Sequence, residues 1–413
     1  MNKANIHHKI HYYLAIIIAF SLPLGKLIPV FIILMVLNWL VEGDFKFKFS
    51  AIFNNKFALI FISFYLLHII GLLYTQNKAS GLFDLQVKLS LLLFPLILCS
   101  KSLSKKETQA VFIAFIIGSI ASSLIMLSRS TYLYFAKGEN TFFYDSFSVL
   151  LHPGYLSMYL NVAISWLLIQ FIQNPDKIIL KQYYHLFLVL TIVLFSMVII
   201  FLSSKSGILT LFLILISFLL YFIIYKKNHK TGSVVIIGLT LCTIFTLCFS
   251  PKTLIRLQSL GEIFTKKTLN NNEVMESTAM RMLIWESANA AIKDNFFIGV
   301  GTGDSKEALA KQYEKKNITY ALVNKLNAHN EFYQVFISLG VIGFLVLSAT
   351  LLTPLLSAFK TDDFIYVSFL LIIIFNFLSE SMLETQAGVL FYAFFNSLLC
   401  FSKPILSNTN NTL

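Results

Sequence analysis

The sequence predicts an all-α polytopic membrane protein with about twelve transmembrane helices, both termini in the cytoplasm, and one large loop on the other side. Three observations carry this. Across 413 residues the chain is 57% hydrophobic and only 13% charged, with a mean hydropathy of +0.76, whereas soluble domains carry roughly 25% charged residues. The apolar runs are long and continuous, as helices require, where barrel strands would alternate. Lysine is unevenly shared between the two sets of connecting loops.

The expected spans are 11–25, 27–41, 57–74, 87–100, 108–127, 153–173, 186–202, 208–225, 233–250, 332–352, 364–379 and 387–401. Residues 1–250 thus hold helices one to nine, 251–331 a large loop, 332–401 helices ten to twelve, and 402–413 a polar tail expected to be disordered. Together they form one integral membrane domain. The first run follows a short Lys/His tail and has no small-residue cleavage site, so it is expected to stay as a helix. The fourth has a short apolar core, and losing it would reverse the side of everything after it. Charge tests that parity. With the N-terminus inside, fifteen lysines fall on inside segments, while the short outside loops hold six cations: Lys26, Lys78, Lys88, Arg129, Lys137 and Lys205.

Within the large loop, Arg281 to Lys293 and Ser305 to Lys316 are patterned as short amphipathic helices. Gly299-Val300-Gly301-Thr302-Gly303-Asp304 lies between them. No strand precedes these glycines, so they are expected to make a tight turn and not a dinucleotide-binding loop. A second outside loop, 128–152, is rich in aromatics and ends at His152-Pro153.

Several function classes are disfavoured. Cys99, Cys242, Cys248 and Cys400 sit in apolar segments and offer neither a disulfide framework nor metal-ligand spacing. The formal charge of +12 is scattered over many loops, without the basic tract and interleaved aromatics of a nucleic-acid binder. No outward Asp-x-Asp pair is present, and Asp362-Asp363 falls inside, so no metal or other cofactor is expected. A twelve-helix secondary transporter or flippase would need ionisable residues at mid-membrane, and His68 is the one such residue the span assignment leaves.

The chemistry-bearing residues gather on the outside. Of eight histidines, only His152 and His329 fall there, each where a helix begins. The positive end of the helix dipole disfavours imidazolium, which leaves a ring able to accept a proton. A structural hydrogen bond at the interface is the alternative for both, and is favoured for His152, which precedes a proline. The chain has only three arginines, Arg129, Arg256 and Arg281, and all three map outside; arginine grips phosphate through two parallel hydrogen bonds and stays charged. Chance is the competing account for so small a number. Lys205, in Ser203-Ser204-Lys205-Ser206-Gly207, puts a cation in a very short loop close to the bilayer surface, within reach of a lipid phosphate. Glu380 and Glu384 are four apart and are expected to share one helix face, either solvated, steering an acceptor sugar, or paired with an arginine.

These segments, in this order, resemble the bacterial O-antigen ligase and O-antigen polymerase family of membrane glycosyltransferases. The resemblance runs over roughly 150–390. It is carried by Ser204-Lys205-Ser206-Gly207; Arg281-Met282-Leu283-Ile284-Trp285 followed by Gly299-Val300-Gly301-Thr302-Gly303; and Ala328-His329-Asn330-Glu331-Phe332 followed by Leu339-Gly340-Val341-Ile342-Gly343. His152-Pro153-Gly154-Tyr155 is similar to a motif in many members. The resemblance implies transfer of a glycan from undecaprenyl pyrophosphate to an acceptor hydroxyl such as lipid A–core, at the periplasmic face of the bacterial inner membrane, with neither metal nor nucleotide sugar. It implies His329 as base or acceptor-orienting group and Arg281 as pyrophosphate clamp. Lys205, Arg256, Arg129, His152, Asn330, Glu380 and Glu384 are the expected substrate contacts. Many members carry arginine where Lys205 stands; lysine keeps the charge but loses the fork. A polymerase passing the glycan to another repeat unit, or an oligosaccharyltransferase passing it to protein, would share this chemistry.

Overall fold

The computed structural model describes residues 3–25, 27–173, 181–220 and 278–402, which form helices joined by loops, with no strand among them. The helices of the described residues are α1 (Lys3–Ser21), α2 (Ile28–Glu42), α3 (Phe45–Phe53), α4 (Lys56–Tyr74), α5 (Lys78–Lys88), α6 (Ser90–Ser100), α7 (Lys105–Lys137), α8 (Pro153–Gln173), α9 (Lys181–Leu202) and α10 (Lys205–Leu220). After residue 277 come α11 (Thr278–Asp294), α12 (Ser305–Lys315), α13 (Thr319–Val323), α14 (Glu331–Lys360), α15 (Phe364–Ser379) and α16 (Gln386–Phe401).

Every expected span that falls on described residues coincides with a helix; the ninth, and the end of the eighth, lie outside the described residues. Six described segments are long and apolar enough to cross a membrane, or seven if the bent pair α2–α3 is one span. Among the described residues these criteria thus give six or seven spans, and the expected ninth lies outside them. α10, α15 and α16 are apolar but shorter, and α2 turns into α3 through 113°. The short fourth run is lengthened by α5, so that Lys78–Ser100 forms one candidate span.

Capping explains several boundaries. At the start of α7, the Glu107 N–H donates to Ser104 Oγ (3.3 Å), while the Ser104 N–H donates to Glu107 Oε2 (2.8 Å), a reciprocal capping box. The helix then runs to Lys137 and stops at Gly138 in the left-handed region, φ 71°. Arg129 is thus helical, and the expected loop 128–152 shrinks to 138–152. α8 is the most enclosed candidate span, with 83% of its apolar window buried against at most 56% for the others. Its Tyr159 stacks on Phe391 of α16 at 4.0 Å between ring centres, and Trp166 lies parallel to Phe112 of α7 at 5.9 Å. A stack of large rings down the centre removes much apolar surface from lipid and leaves little freedom for α8 to tilt.

The tenth span was expected as one continuous helix, and it is broken. Gly340, inside α14, has φ 64° and ψ −162°. The carbonyls of Ile337 and Ser338, deprived of helical partners, accept from Val300 N–H and Gly301 N–H, both at 2.9 Å, and Val341 N–H donates to Phe296 O at 2.9 Å. The glycine-rich turn expected between α11 and α12 is present, and it plugs this break. Residues 331–339, before the break, start at the Asn330 cap, which directly follows His329.

Buried charge departs from expectation as well. Lys88, counted with the outside loops, is 1% exposed and bonds Asp84 and, at 3.1 Å, Glu384. His68 is 2% exposed, its Nδ1 3.7 Å from Asp84 Oδ2, and Glu331 is fully buried. Lysine beside an apolar run ordinarily extends its ammonium to water; here a carboxylate of its own helix and one from the connection after α15 hold it inside.

Candidate functional site

α11 begins the site. Met280, Ile284, Ala288, Ala291 and Ile292 recur at helical spacing and are buried against Leu309, Tyr313, Ala321, Ala328 and Ile337. This stripe seats α11 on α12 and α14 and sets Arg281, in its first turn, toward the bundle. Trp285, one turn on, donates from Nε1 to Ala328 O at 3.0 Å and stacks on Tyr333. The Arg-x-x-x-Trp spacing therefore does two jobs on one face: the indole holds the chain just before His329, and the guanidinium reaches past it.

His329 lies between that anchor and a cap. Asn330 is the N-cap of α14: its side chain accepts from Tyr333 N–H and donates to Leu378 O, both within 3.1 Å. Its two polar atoms are thus engaged in holding α14 to α15, and it does not line the cavity described below, although it was expected to touch substrate. Gln334 accepts from Ala328 N–H and donates to Ser305. Bound on both sides, His329 adopts φ 45°, a left-handed conformation uncommon outside glycine. Such strain is maintained only where surrounding contacts enforce it, and it concentrates at functional positions. Tyr144, at φ 56°, is left-handed too and lines the same cavity.

The imidazole Nδ1 of His329 donates to Glu380 Oε1 at 2.8 Å, and Arg281 reaches Glu380 Oε2 at 3.2 Å. Glu380 and Glu384 do not share a helix face, because α15 ends at Ser379 and Glu380 is already extended (φ −156°, ψ 148°). The chain turns there; Glu380 goes to His329 and Glu384 to Lys88. Burial would raise the Glu380 carboxyl, but the His329 hydrogen bond, followed by the charges of His329, Arg281 and His152, holds it below its ordinary value. A carboxylate on Nδ1 fixes the tautomer and leaves Nε2 as the nitrogen that can face a substrate.

A cavity of about 170 Å³ opens beside this pair, lined among others by His152, Lys205, Arg281, His329 and Glu380. Lys205 arrives there because α10 starts against α8. Gly207 permits that approach: a Cβ on it would lie 2.3 Å from Ser157 Oγ. Asn161 also donates to Gly207 O at 2.9 Å. His152 caps α8, its Nδ1 accepting from Gly154 N–H at 3.2 Å, with its ring edge-on to Tyr144 and Tyr155. His152 thus makes a local structural hydrogen bond, and its ring also borders the cavity. Five of the nine expected site residues converge in this way. Arg129 instead donates to Ser146 O, Glu384 and Asn330 serve the scaffold, and Arg256 lies outside the described residues. Sequence reasoning did not pair Glu380 with His329, since 51 residues separate them; a carboxylate at the very end of an apolar run on the same expected side was the available signal.

Two cations, Arg281 and Lys205, and a carboxylate-bonded histidine thus border one cavity of a helical bundle. Residues 190–348 match the family model described as O-antigen ligase. The match bears out the resemblance drawn from the motifs and supports a ligase- or polymerase-like membrane enzyme. Lys205, Arg281 and His329 lie inside the matched region, whereas His152 and Glu380 are supplied from outside it. A curated protein of Haemophilus influenzae, described as an uncharacterized protein, is 29% identical over 143 residues. The alignment covers 32% of this chain and 35% of that protein, so the chain spans about a third of that relative's length.

Proposed function

We propose that the protein transfers a glycan from undecaprenyl pyrophosphate to the hydroxyl of an acceptor, lipid A–core, at the periplasmic face of the bacterial inner membrane. Arg281 and Lys205 hold the diphosphate of the donor. As the acceptor oxygen bonds the anomeric carbon, the bond from that carbon to the phosphate oxygen breaks and its electron pair leaves on the diphosphate. The acceptor proton passes to His329 Nε2. Glu380 on Nδ1 stabilises the imidazolium so formed, and the cations stabilise the negative charge growing on the leaving group in a low-dielectric site. Direct displacement inverts the anomeric configuration, and a product with retained configuration would overturn this step. No metal takes part in this scheme. The expected partners are the lipid-linked glycan, the hydroxyl acceptor and membrane lipids.

The observation that carries the reading is the Arg281–Glu380–His329 chain beside Lys205 in one cavity. The test is expression of wild type, His329→Ala and Arg281→Ala in a host that makes lipid-linked glycan but lacks its own ligase. Glycan-capped lipopolysaccharide with wild type, lost in both variants at equal protein level, is the expected result. Glycan on protein alone would move the assignment to an oligosaccharyltransferase, and elongated lipid-linked chains without transfer would move it to a polymerase. Full activity in His329→Ala would remove the base from the scheme.

A further inference from the structure

The carboxylate that orients His329 is carried on a short connection, 380–385, between α15 and α16. Besides the bonds of His329 and Arg281 to Glu380, three further ties hold this connection. Asn330 N–H donates to Ser381 Oγ at 3.2 Å, Leu383 N–H donates to Glu331 Oε2 at 2.7 Å, and Lys88 Nζ donates to Glu384 Oε1 at 3.1 Å. The first two come from the residues that follow His329 in the chain, so they move with it. Lys88, at the end of α5 and 296 residues away in sequence, ties the far end of the connection to a different part of the bundle, while Arg281 of α11 reaches its near end through Glu380. Lys88 is itself held by Asp84, one helical turn earlier.

A buried ion pair is poor evidence for stability. Desolvating its members costs several kcal/mol each, and apolar replacements of similar size are often as stable. The surroundings of Lys88 make that cost plain. Both ring nitrogens of His68 and Glu331 Oε1 are buried without a hydrogen-bond partner among the described residues. A purely stabilising core would not be built from such groups. What the arrangement does provide is geometric definition, because Glu384 lies four residues beyond Glu380 across the single-turn 3-10 helix Met382–Glu384. With Glu384 fixed on Lys88, this short connection has little slack, and Glu380 is delivered to His329 Nδ1.

We infer that Lys88 is a positioning residue for His329: through Glu384 it sets the register of the 380–385 connection and so the placement of Glu380 on the imidazole. This rests on the reading of His329 as the base of the transfer. Lys88 touches neither the cavity nor a substrate, and it acts only through Glu384.

The test uses the full chain in lipid nanodiscs, as wild type, Lys88→Met, Lys88→Arg and Glu384→Ala. Amide hydrogen exchange over 380–386 and steady-state glycan transfer are measured on each. Lys88→Met and Glu384→Ala should exchange faster at Leu383 and lose roughly tenfold or more in kcat, with donor KM within about twofold, because geometry at the reacting group is lost and donor binding is not. Lys88→Arg, which keeps the charge, should recover most of both. Should Lys88→Met fail to assemble, Glu384→Ala decides, since it leaves Lys88 paired with Asp84. Native exchange over 380–386 in Glu384→Ala would overturn the inference, as would unchanged kcat there. If wild type transfers nothing, the transfer reading falls by itself, while faster exchange in the two variants would still support the tie between Lys88 and the connection.

Discussion

Replacing Gly340 by alanine tests the break in α14, the helix that follows His329. In an unbroken helix the change would stabilise by about 1 kcal/mol, the ordinary alanine advantage over glycine. The observed conformation reverses the sign. At φ 64° and ψ −162° an L-residue is strained by about 1–3 kcal/mol. A Cβ would also lie 2.3 Å from Phe297 O, 2.4 Å from Phe297 C and 2.6 Å from Ile298 N, all backbone atoms that cannot swing aside. Relief requires the 296–301 turn to retreat and gives up three hydrogen bonds, Val341 to Phe296, Val300 to Ile337 and Gly301 to Ser338, at about 1 kcal/mol each. The sum is a loss of about 4–6 kcal/mol. The assay is the melting temperature in detergent at one fixed scan rate, because membrane proteins of this size commonly unfold irreversibly. A melting temperature equal to or above wild type would refute the break.

Other outcomes follow from the site. Glu380→Gln keeps the shape but removes the charge from both His329 and Arg281; losing one charge-assisted hydrogen bond at about 2 kcal/mol should lower kcat roughly thirtyfold, read by transfer kinetics. The same variant carries a pH signature. The Glu380 carboxyl is held below its ordinary 4.5 in the folded protein, so its contribution to stability is present above that pH and is lost as pH falls through the lower folded value. The melting-temperature advantage of wild type over Glu380→Gln should therefore persist near neutrality and narrow below pH 4.5. Lys205→Arg restores a two-pronged donor for phosphate and should tighten donor KM without loss of kcat, whereas Lys205→Met should raise KM several-fold.

Much of the fold was legible because hydrophobic runs and cap residues report helices directly. The positions of α11 and α12, the turn between them and every expected span on described residues could be read in this way. What escaped depended on partners distant in sequence. Leu339-Gly340-Val341-Ile342-Gly343 sits inside an apolar run and has no local reason to break; the break exists because Val300 and Gly301 supply the missing hydrogen bonds. Lys88 flanks an apolar run as a solvated lysine would, and only Asp84 and Glu384 together turn it inward. Glu380 and Glu384 looked like neighbours on a helix because periodicity does not say that α15 stops at Ser379.

Four positions share a property. Gly340, Lys88, Glu380 and the left-handed His329 each violate a local preference, of helix continuity, of solvation, of periodicity or of backbone region. All four are linked: Gly340 ends the helical segment 331–339 that follows His329, Glu380 hydrogen-bonds its ring, and Lys88 bonds Glu384 on the connection that carries Glu380. Local preferences are expected to be overridden at sites where geometry matters more than stability. Other departures lie elsewhere, among them the left-handed Leu27, Asp44 and Asp362 and the buried Lys48, but these four are linked to one another. Their convergence on one histidine, next to the cavity that also gathers Arg281 and Lys205, is a reason to place the chemistry at His329 that does not depend on the family match.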